Sequence, residues 1–198
     1  MASAELRDLV FHGREERNLE YKSSLNWKDS ATKAKIVKAC LAMTNIRDGG
    51  VIVLGVEQNG EDFDPVGMQE DDAASFSQDH VLAKVNEFAD PFVELTVTPF
   101  RVDNGKVFVV IQVQEFAELP VICRKNGDQN LSRGDIYTRP RRMNETAQVS
   151  SQTEMREIIE LATDKAMQKF ITRQQRLGIP TILPASDKEK FDEQLEGL

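Results

Sequence analysis

The amino-acid sequence predicts an α+β fold, in which one small domain has a mixed or antiparallel sheet flanked by helices. Two observations carry this prediction: strand-like and helical segments alternate over the first half of the chain, and an antiparallel hairpin follows them. A chain of 198 residues that is 40% hydrophobic and 29% charged is long enough to bury the core of one such domain. We predict that the domain covers residues 1–171, including a C-terminal helix, and that residues 172–198 form an extended, charged, proline-containing tail.

The first elements form a predicted strand–helix–strand unit. Residues 4–10 carry apolar side chains at helical spacing, and Leu19–Lys22 alternates apolar and polar residues as a half-buried strand does. Asp29 or Ser30 can cap the helix that follows. Residues 51–56 are apolar on both faces, which is typical of a central strand that is covered on both sides.

An acidic stretch separates this unit from the next helix. Residues 57–72 contain seven acidic side chains and no lysine or arginine, and the Asn59-Gly60 pair interrupts them, so we predict a loop. Asp72 or Ser75 then opens a second helix.

The middle of the chain predicts an antiparallel hairpin. Residues 92–100 alternate apolar and polar side chains, residues 106–115 are rich in valine and isoleucine, and Asp103-Asn104-Gly105 supplies the turn between them. Two further short strands are predicted within residues 119–124 and 135–139.

A capping-box pattern formed by Ser151 and Glu154 opens a third, long helix. Its apolar stripe consists of Met155, Ile158, Ile159, Ala162, Ala166 and Phe170. The stripe predicts packing against the core, and a contact face between copies of the chain is the alternative.

Composition argues against several classes of protein. The longest apolar runs are far shorter than the roughly 20 residues of a membrane helix, so we expect no membrane span. The N-terminus lacks the pattern of a secretory signal, and we expect a cytoplasmic protein in which Cys40 and Cys123 are reduced thiols. The net charge of −8 argues against a generally basic nucleic-acid binder, although local basic patches remain compatible with it.

Three glutamates, Glu15, Glu20 and Glu57, are the candidates for a catalytic metal site. Glu20 and Glu57 lie at the ends of two predicted strands, and Glu15 precedes the first strand by one bend. Converging carboxylates bind Mg²⁺ or Mn²⁺, which can assist displacement at a phosphodiester. Lys22 points to the same face as Glu20 and can meet a phosphate. The alternative is that the glutamates are surface charges, with Glu20 paired to Lys22 or to a helix lysine.

A basic cluster near residues 124–142 is the candidate nucleic-acid-binding surface. Its cations are Arg124, Lys125, Arg133, Arg139, Arg141 and Arg142, and Tyr137 lies among them. Arginine forks suit phosphate oxygens and an aromatic ring can stack on a base, whereas the alternative is a solubilising strand edge. The lysines at 28, 33, 35 and 38 either extend this surface or form a solvated helix face.

Several of these motifs together resemble the Schlafen-type AlbA-like domain family. The motifs are Leu19-Glu20-Tyr21-Lys22, Ala42-Met43-Thr44-Asn45 with Gly49-Gly50, Leu54-Gly55-Val56-Glu57 and Pro65-Val66-Gly67, followed by Leu119-Pro120 and Ile136-Tyr137-Thr138-Arg139. The resemblance covers roughly residues 15–161 and implies a small α+β domain with a mixed or antiparallel sheet. Bacterial members are often labelled DNA-binding or ATP-binding regulators of transcription.

The resemblance also implies a chemistry. Nuclease members cleave tRNA or other RNA with a divalent metal held by three acidic residues, whose positions match Glu15, Glu20 and Glu57 here. This chain departs from that pattern in two ways. Glu57 occupies a position where an aspartate is common, and this chain has a single domain, or lobe, whereas the nucleases pair two. A homodimer could supply the second lobe.

Two functions of different classes follow as hypotheses. The first is a nucleic-acid-binding protein, for RNA or DNA, that cleaves tRNA or other RNA if the carboxylates hold Mg²⁺ or Mn²⁺. The second is a non-catalytic regulatory module that forms homo-oligomers or binds a protein partner. Nucleotide binding is a weaker third hypothesis, because the sequence has no phosphate-binding loop of the P-loop type.

Overall fold

The computed structural model describes residues 3–178 of the chain. In chain order the elements are α1 (Ser3–Val10), β1 (Leu19–Lys22), α2 (Ser30–Met43), β2 (Gly50–Leu54), β3 (Val56–Asn59), β4 (Asp62–Pro65), α3 (Glu70–Ser75), α4 (Gln78–Asn86), β5 (Ala89–Asp90), β6 (Leu95–Arg101), β7 (Val107–Val113), β8 (Ile122–Cys123), β9 (Tyr137–Thr138), β10 (Ala147–Gln148) and α5 (Gln152–Arg176).

The chain divides into two compact units, residues 1–162 and residues 163–198. The first unit contains the strands, helices α1 to α4 and the beginning of α5. The second unit, as far as it is described, consists of the rest of α5 and a turn at residues 177–178. The predicted boundary between residues 171 and 172 remains a prediction, and residues 179–198 of the predicted tail lie outside the described residues.

The central sheet of the first unit has four strands in the order β1-β2-β7-β6. Strand β1 runs parallel to β2, with Lys22 opposite Leu54, and helix α2 provides the crossover between them. Strand β7 is antiparallel to both of its neighbours. The sheet is therefore mixed, which confirms the predicted α+β fold and the predicted antiparallel hairpin of β6 and β7.

The turn into β2 needs glycine for a steric reason. Gly49 has φ +69°, and a Cβ atom there would lie 2.1 Å from the backbone oxygen of Val113. An L side chain rarely adopts this conformation and would also collide with β7. The Gly-Gly pair thus lets β2 begin directly against its central neighbour.

Two hydrophobic clusters cover the two faces of the sheet. Ile52 and Leu54 of β2 belong to the cluster that includes the buried side of α2. Val53 belongs to the opposite cluster, together with α1 and with Leu19 and Tyr21 of β1. Because side chains alternate along a strand, the other two residues of β1 must point toward the side of α2.

Both outer edges of the sheet are closed by side chains. On β6, the Gln78 amide donates to the Leu95 oxygen at 2.9 Å and accepts from the Val97 nitrogen at 2.7 Å. On β1, the Tyr21 nitrogen donates to the Glu15 carboxylate at 2.8 Å. Side-chain groups therefore occupy backbone positions that a neighbouring strand would otherwise take.

The prediction of a loop over residues 57–72 was wrong. Strands β3 and β4 form an antiparallel hairpin there, and Gly60 and Glu61 form its two-residue turn, with Gly60 at φ +68°. A glycine at the first position of a two-residue turn is a hairpin signal, and the acidic composition of the flanking residues hid the strands.

The helix that was predicted to begin at Asp72 or Ser75 consists of two helices, α3 and α4. Neither Asp72 nor Ser75 caps α4: its cap is Ser77, whose hydroxyl accepts from the His80 nitrogen at 3.3 Å. The Asp72 carboxylate instead accepts hydrogen bonds from Ser24 and Asn26. Short strands β8 and β9 lie within the two segments predicted for them.

The capping box at the start of α5 is confirmed. The Glu154 nitrogen donates to the Ser151 hydroxyl at 3.2 Å, and the Glu154 carboxylate accepts from the Ser151 nitrogen at 3.3 Å. Within the first unit, Ile158 of the predicted stripe is buried, whereas Met155 and Ile159 are exposed. Among residues 3–178, no helix has the length and apolarity needed to cross a membrane.

The two tyrosines provide a test of the packing by pH titration. Burial raises the pKa of Tyr21 to about 12 and also raises the pKa of Tyr137. Because the folded state favours the protonated phenols, their contribution to stability is complete below the unfolded pKa of about 10 and is lost as the pH rises through the higher pKa values of the folded state. We expect phenolate absorbance to develop at higher pH in the native protein than in guanidinium-unfolded protein. Coincident titration curves would contradict this packing.

Candidate functional site

A cleft of about 250 Å³ lies beside the C-terminal end of β1. Its walls are formed by Glu20, Lys22, Lys35, Lys38, Ala39, Gln129 and Thr146. We refer to it below as the lysine cleft.

The local structure explains why these lysines share one cleft. Glu20 and Lys22 are two residues apart on β1 and point to the side of the sheet that α2 covers. Lys35 and Lys38 are three residues apart on α2, so they lie on one side of that helix. The parallel crossover from β1 through α2 to β2 brings the two pairs together.

The Glu20 carboxylate is held by two cations. Glu20 is 7% exposed and Arg139 is fully buried, and the Arg139 guanidinium donates through Nη1 to Glu20 Oε2. Lys22 Nζ lies 2.5 Å from the other oxygen, Glu20 Oε1. Both oxygens of this carboxylate are therefore already engaged, and its negative charge is neutralised inside the protein.

Two backbone oxygens also hold the Arg139 side chain in place. Arg139 Nη2 donates to the Asn144 oxygen at 2.6 Å and to the Glu16 oxygen at 3.2 Å. Its Nε atom has no partner, and neither does the buried hydroxyl of Thr146. In the described part of the chain, these two are the only buried side-chain polar atoms without a hydrogen-bond partner.

The lysines on α2 are less constrained. Lys38 Nζ donates to the Gln129 oxygen at 3.1 Å and lies 5.2 Å from the centre of the Tyr137 ring. Lys35 is exposed and makes no ion pair with any residue in the described range. Around the lysine cleft, three ammonium groups and one guanidinium thus accompany a single carboxylate.

Asn45 anchors the segment that carries Arg139. Asn45 is buried, and its amide nitrogen donates to the oxygens of Leu41, Val121 and Tyr137 at 3.1, 2.8 and 3.0 Å. Its amide oxygen accepts from the Val121 nitrogen at 2.8 Å. One side chain at the end of α2 therefore satisfies backbone groups before β8 and within β9.

An ion-pair network holds the start of α5 near the same segment. Glu157 lies 2.6 Å from Arg17 and 2.6 Å from Arg141. Burial alone would raise the pKa of Glu157, but the hydrogen bonds to the two arginines lower it overall. Arg17 also donates to the Arg139 backbone oxygen at 2.6 Å, which connects this network to the wall of the cleft.

The three glutamates predicted as metal ligands have separate surroundings. Glu15 accepts from the backbone of β1, Glu20 is paired with cations, and Glu57 is exposed on β3 opposite Asp64. Among residues 3–178, no group of three or more His, Cys, Asp or Glu side chains is placed to hold a metal ion. As arranged here, this donor set does not fit Mg²⁺ or Mn²⁺, because an ion at Glu20 would first have to displace its two cationic partners.

The predicted basic cluster separates into three kinds of group. Arg139 is fully buried and Tyr137 is 2% exposed. Arg139 therefore does not lie on the surface where it could contact a nucleic-acid backbone, and Tyr137 does not lie where its ring could stack on a base. Lys125 is paired with Glu87 at 2.8 Å. Within the predicted cluster, the exposed arginines without an acidic partner among the described residues are Arg124, Arg133 and Arg142.

Sequence reasoning placed Lys22 beside Glu20, as the structure does, but missed two walls of the cleft. Gln129 and Thr146 carry no local signal, since only the tertiary fold brings them next to β1. The three-residue spacing of Lys35 and Lys38 was visible, although it could not distinguish a binding surface from a solvated face.

The fold and the cleft define a class: a small α+β domain whose mixed sheet carries a cationic cleft at one strand end. The chain belongs to the Schlafen, AlbA_2 domain family, whose sequence profile matches residues 15–148. This match confirms the resemblance noted from the motifs.

Several solved structures are similar to this chain, and two of them show the extent of the likeness. The DIP2311 protein from Corynebacterium diphtheriae matches 78% of it at 14% identity, with a TM-score of 0.51. This chain spans 27% of that protein, so the likeness concerns the fold of one part. The N-terminal domain of a RecG-related protein from Nitrosomonas europaea matches 68% of this chain and 88% of its own length, at 20% identity and a TM-score of 0.47. No curated protein matches the chain significantly.

Proposed function

We propose that this domain binds nucleic acid through its sugar–phosphate backbone at the lysine cleft. The observation that carries the proposal is the charge of the cleft: Lys22, Lys35 and Lys38 converge there, and the one carboxylate is already neutralised by buried Arg139. In a chain of net charge −8, such a local excess of cations favours a polyanionic partner. The exposed arginines Arg124, Arg133 and Arg142 are additional candidates for phosphate contacts, and membership of the family is consistent with this function.

The proposal concerns binding and includes no cleavage step. Glu15, Glu20 and Glu57 would be the ligands for metal-dependent cleavage of RNA, and their present arrangement does not fit a metal ion. Cleavage therefore remains a separate hypothesis, which incubation of tRNA with the protein and Mn²⁺ or Mg²⁺, beside a chelator control, would test.

The first measurement is the salt dependence of binding. Labelled single- and double-stranded RNA and DNA of mixed sequence would be titrated by fluorescence anisotropy in the presence of a chelator. Three lysine–phosphate contacts predict a log–log slope of about −2 to −3 between about 50 and 200 mM salt. Lys35→Glu should weaken binding of every sequence and make the slope shallower by about 1–2.

Lys106→Glu is the matched control, because Lys106 is an exposed lysine outside the cleft that contacts the Pro65 oxygen. Equal losses in the two variants would contradict a cleft-centred interface. Absence of binding at low salt would overturn the proposal as a whole.

A protein-interaction module is the second candidate, because Met155 and Ile159 near the start of α5 are exposed. Salt-insensitive self-association in sedimentation experiments, without nucleic-acid binding, would favour it.

A further inference from the structure

We infer that the lysine cleft contains a subsite for one phosphate oxyanion, with Lys22, Lys38 and the Thr146 hydroxyl as its contacting groups. This inference rests on the proposed nucleic-acid binding and deepens it, since it specifies which chemical group is bound and by which atoms. Binding at this subsite requires no divalent metal.

The first argument comes from unsatisfied polar atoms. The Thr146 hydroxyl is buried without a partner, and Thr146 lines the cleft. The second such atom, Nε of Arg139, belongs to the side chain that holds Glu20 in the cleft wall. Buried polar groups are normally hydrogen-bonded, so the unpartnered Thr146 hydroxyl in the lining points to a missing acceptor in the cleft. A threonine hydroxyl can donate to an oxyanion oxygen.

The second argument comes from unused donors on the lysines. An ammonium group has three N–H donors. Lys22 directs its ammonium to one carboxylate oxygen of Glu20, and Lys38 directs its ammonium to the Gln129 oxygen. Each lysine thus retains donor capacity beside the cleft, and a phosphate group accepts several hydrogen bonds at once.

The size and the lining of the cleft select a phosphate group over a base. A volume of about 250 Å³ is below the roughly 300–1,000 Å³ of pockets that enclose drug-sized ligands. Ala39 is the only apolar residue of the lining, and the Tyr137 ring is buried, so no aromatic face is offered to a base. Recognition at this subsite should therefore be independent of sequence.

The phosphate group can come from two sources, a nucleic-acid backbone or a free nucleotide. The test titrates the full chain, in chelator, with a mixed-sequence RNA oligonucleotide, with ATP and with inorganic phosphate. The variants are Thr146→Val, which removes the hydroxyl at nearly constant volume, and Lys38→Met, with Lys106→Met as the control. Circular dichroism establishes that each variant is folded.

We expect Lys38→Met to weaken oligonucleotide binding about tenfold or more and to make the salt slope shallower by about 1. Thr146→Val should weaken binding about three- to tenfold without changing the slope, because a neutral hydroxyl releases no counterion. Lys106→Met should bind as the wild-type protein does. Preferential binding of ATP, weakened by the same two variants, would support the phosphate subsite and assign it to a free nucleotide, against the proposed function.

Three outcomes overturn the inference. If the wild-type protein binds the oligonucleotide and both cleft variants bind it equally well, the proposed function stands and the subsite does not. If neither the oligonucleotide nor ATP nor inorganic phosphate binds, the subsite and the proposed function both fail. Dependence of binding on added Mg²⁺ or Mn²⁺ would contradict a subsite that works without metal.

Discussion

Replacing Glu20 by glutamine is expected to lower the free energy of unfolding by about 3–5 kcal/mol. The substitution keeps the shape of the side chain but leaves the fully buried Arg139 without its counter-charge. A buried cation that loses its only carboxylate partner retains the penalty of its desolvation, and this penalty dominates the effect. Urea denaturation can measure the change, with the buried and only tryptophan, Trp27, as the fluorescent probe.

Two further variants separate this explanation from a general effect of mutation. Glu61→Gln changes an exposed glutamate in the turn between β3 and β4, and it should alter stability by no more than about 0.5 kcal/mol. The double variant Glu20→Gln/Arg139→Met removes both charges, so it should be less destabilised than the sum of its two single variants. Additive losses, or a Glu20→Gln variant as stable as the wild-type protein, would contradict the buried ion pair.

Asn45→Ala is expected to lower the free energy of unfolding by a similar amount, about 3–5 kcal/mol. The asparagine amide accepts from the Val121 nitrogen and donates to three backbone oxygens, all without access to water. Its removal leaves several buried backbone groups unpaired, and each such group costs about 1–3 kcal/mol unless the structure relaxes.

The comparison variant for Asn45 is Asn18→Ala, because Asn18 is an exposed asparagine. Both variants would be measured by the same denaturation experiment. Asn45→Asp should also be destabilising, since a carboxylate lacks the N–H donors that satisfy the backbone oxygens. If Asn45→Ala unfolds at the same urea concentration as Asn18→Ala, the anchoring role of this residue is wrong.

Local patterns in the sequence were sufficient for much of the fold. The strand–helix–strand unit, the hairpin of β6 and β7 and the capping box of α5 depend on spacing and turn residues within short windows, and all three are present. The hairpin of β3 and β4 was missed because strand propensity is judged from side chains, and those of residues 57–64 are mostly acidic or polar. Its turn signal, the glycine at position 60, was nevertheless in the sequence.

The candidate site was less predictable, because its chemistry depends on contacts between distant segments. Alternation along β1 placed Glu20 and Lys22 on one side, and this arrangement is present. No local pattern indicates that Arg139, 119 positions later, would neutralise Glu20. No local pattern shows that Tyr137 would be buried either. In a sequence, an aromatic residue among arginines looks the same whether its side chain is exposed or buried.

The closed edges of the central sheet restrict how copies of this chain can associate. The Gln78 amide occupies the backbone groups of Leu95 and Val97, and Pro99 on the same strand has no N–H to offer. At the opposite edge, Glu15 occupies the Tyr21 nitrogen. To add a strand to either edge of the sheet, another molecule would first have to break these hydrogen bonds. Assembly by continuation of the sheet is therefore disfavoured, and any dimer of this protein should be built from side-chain surfaces instead.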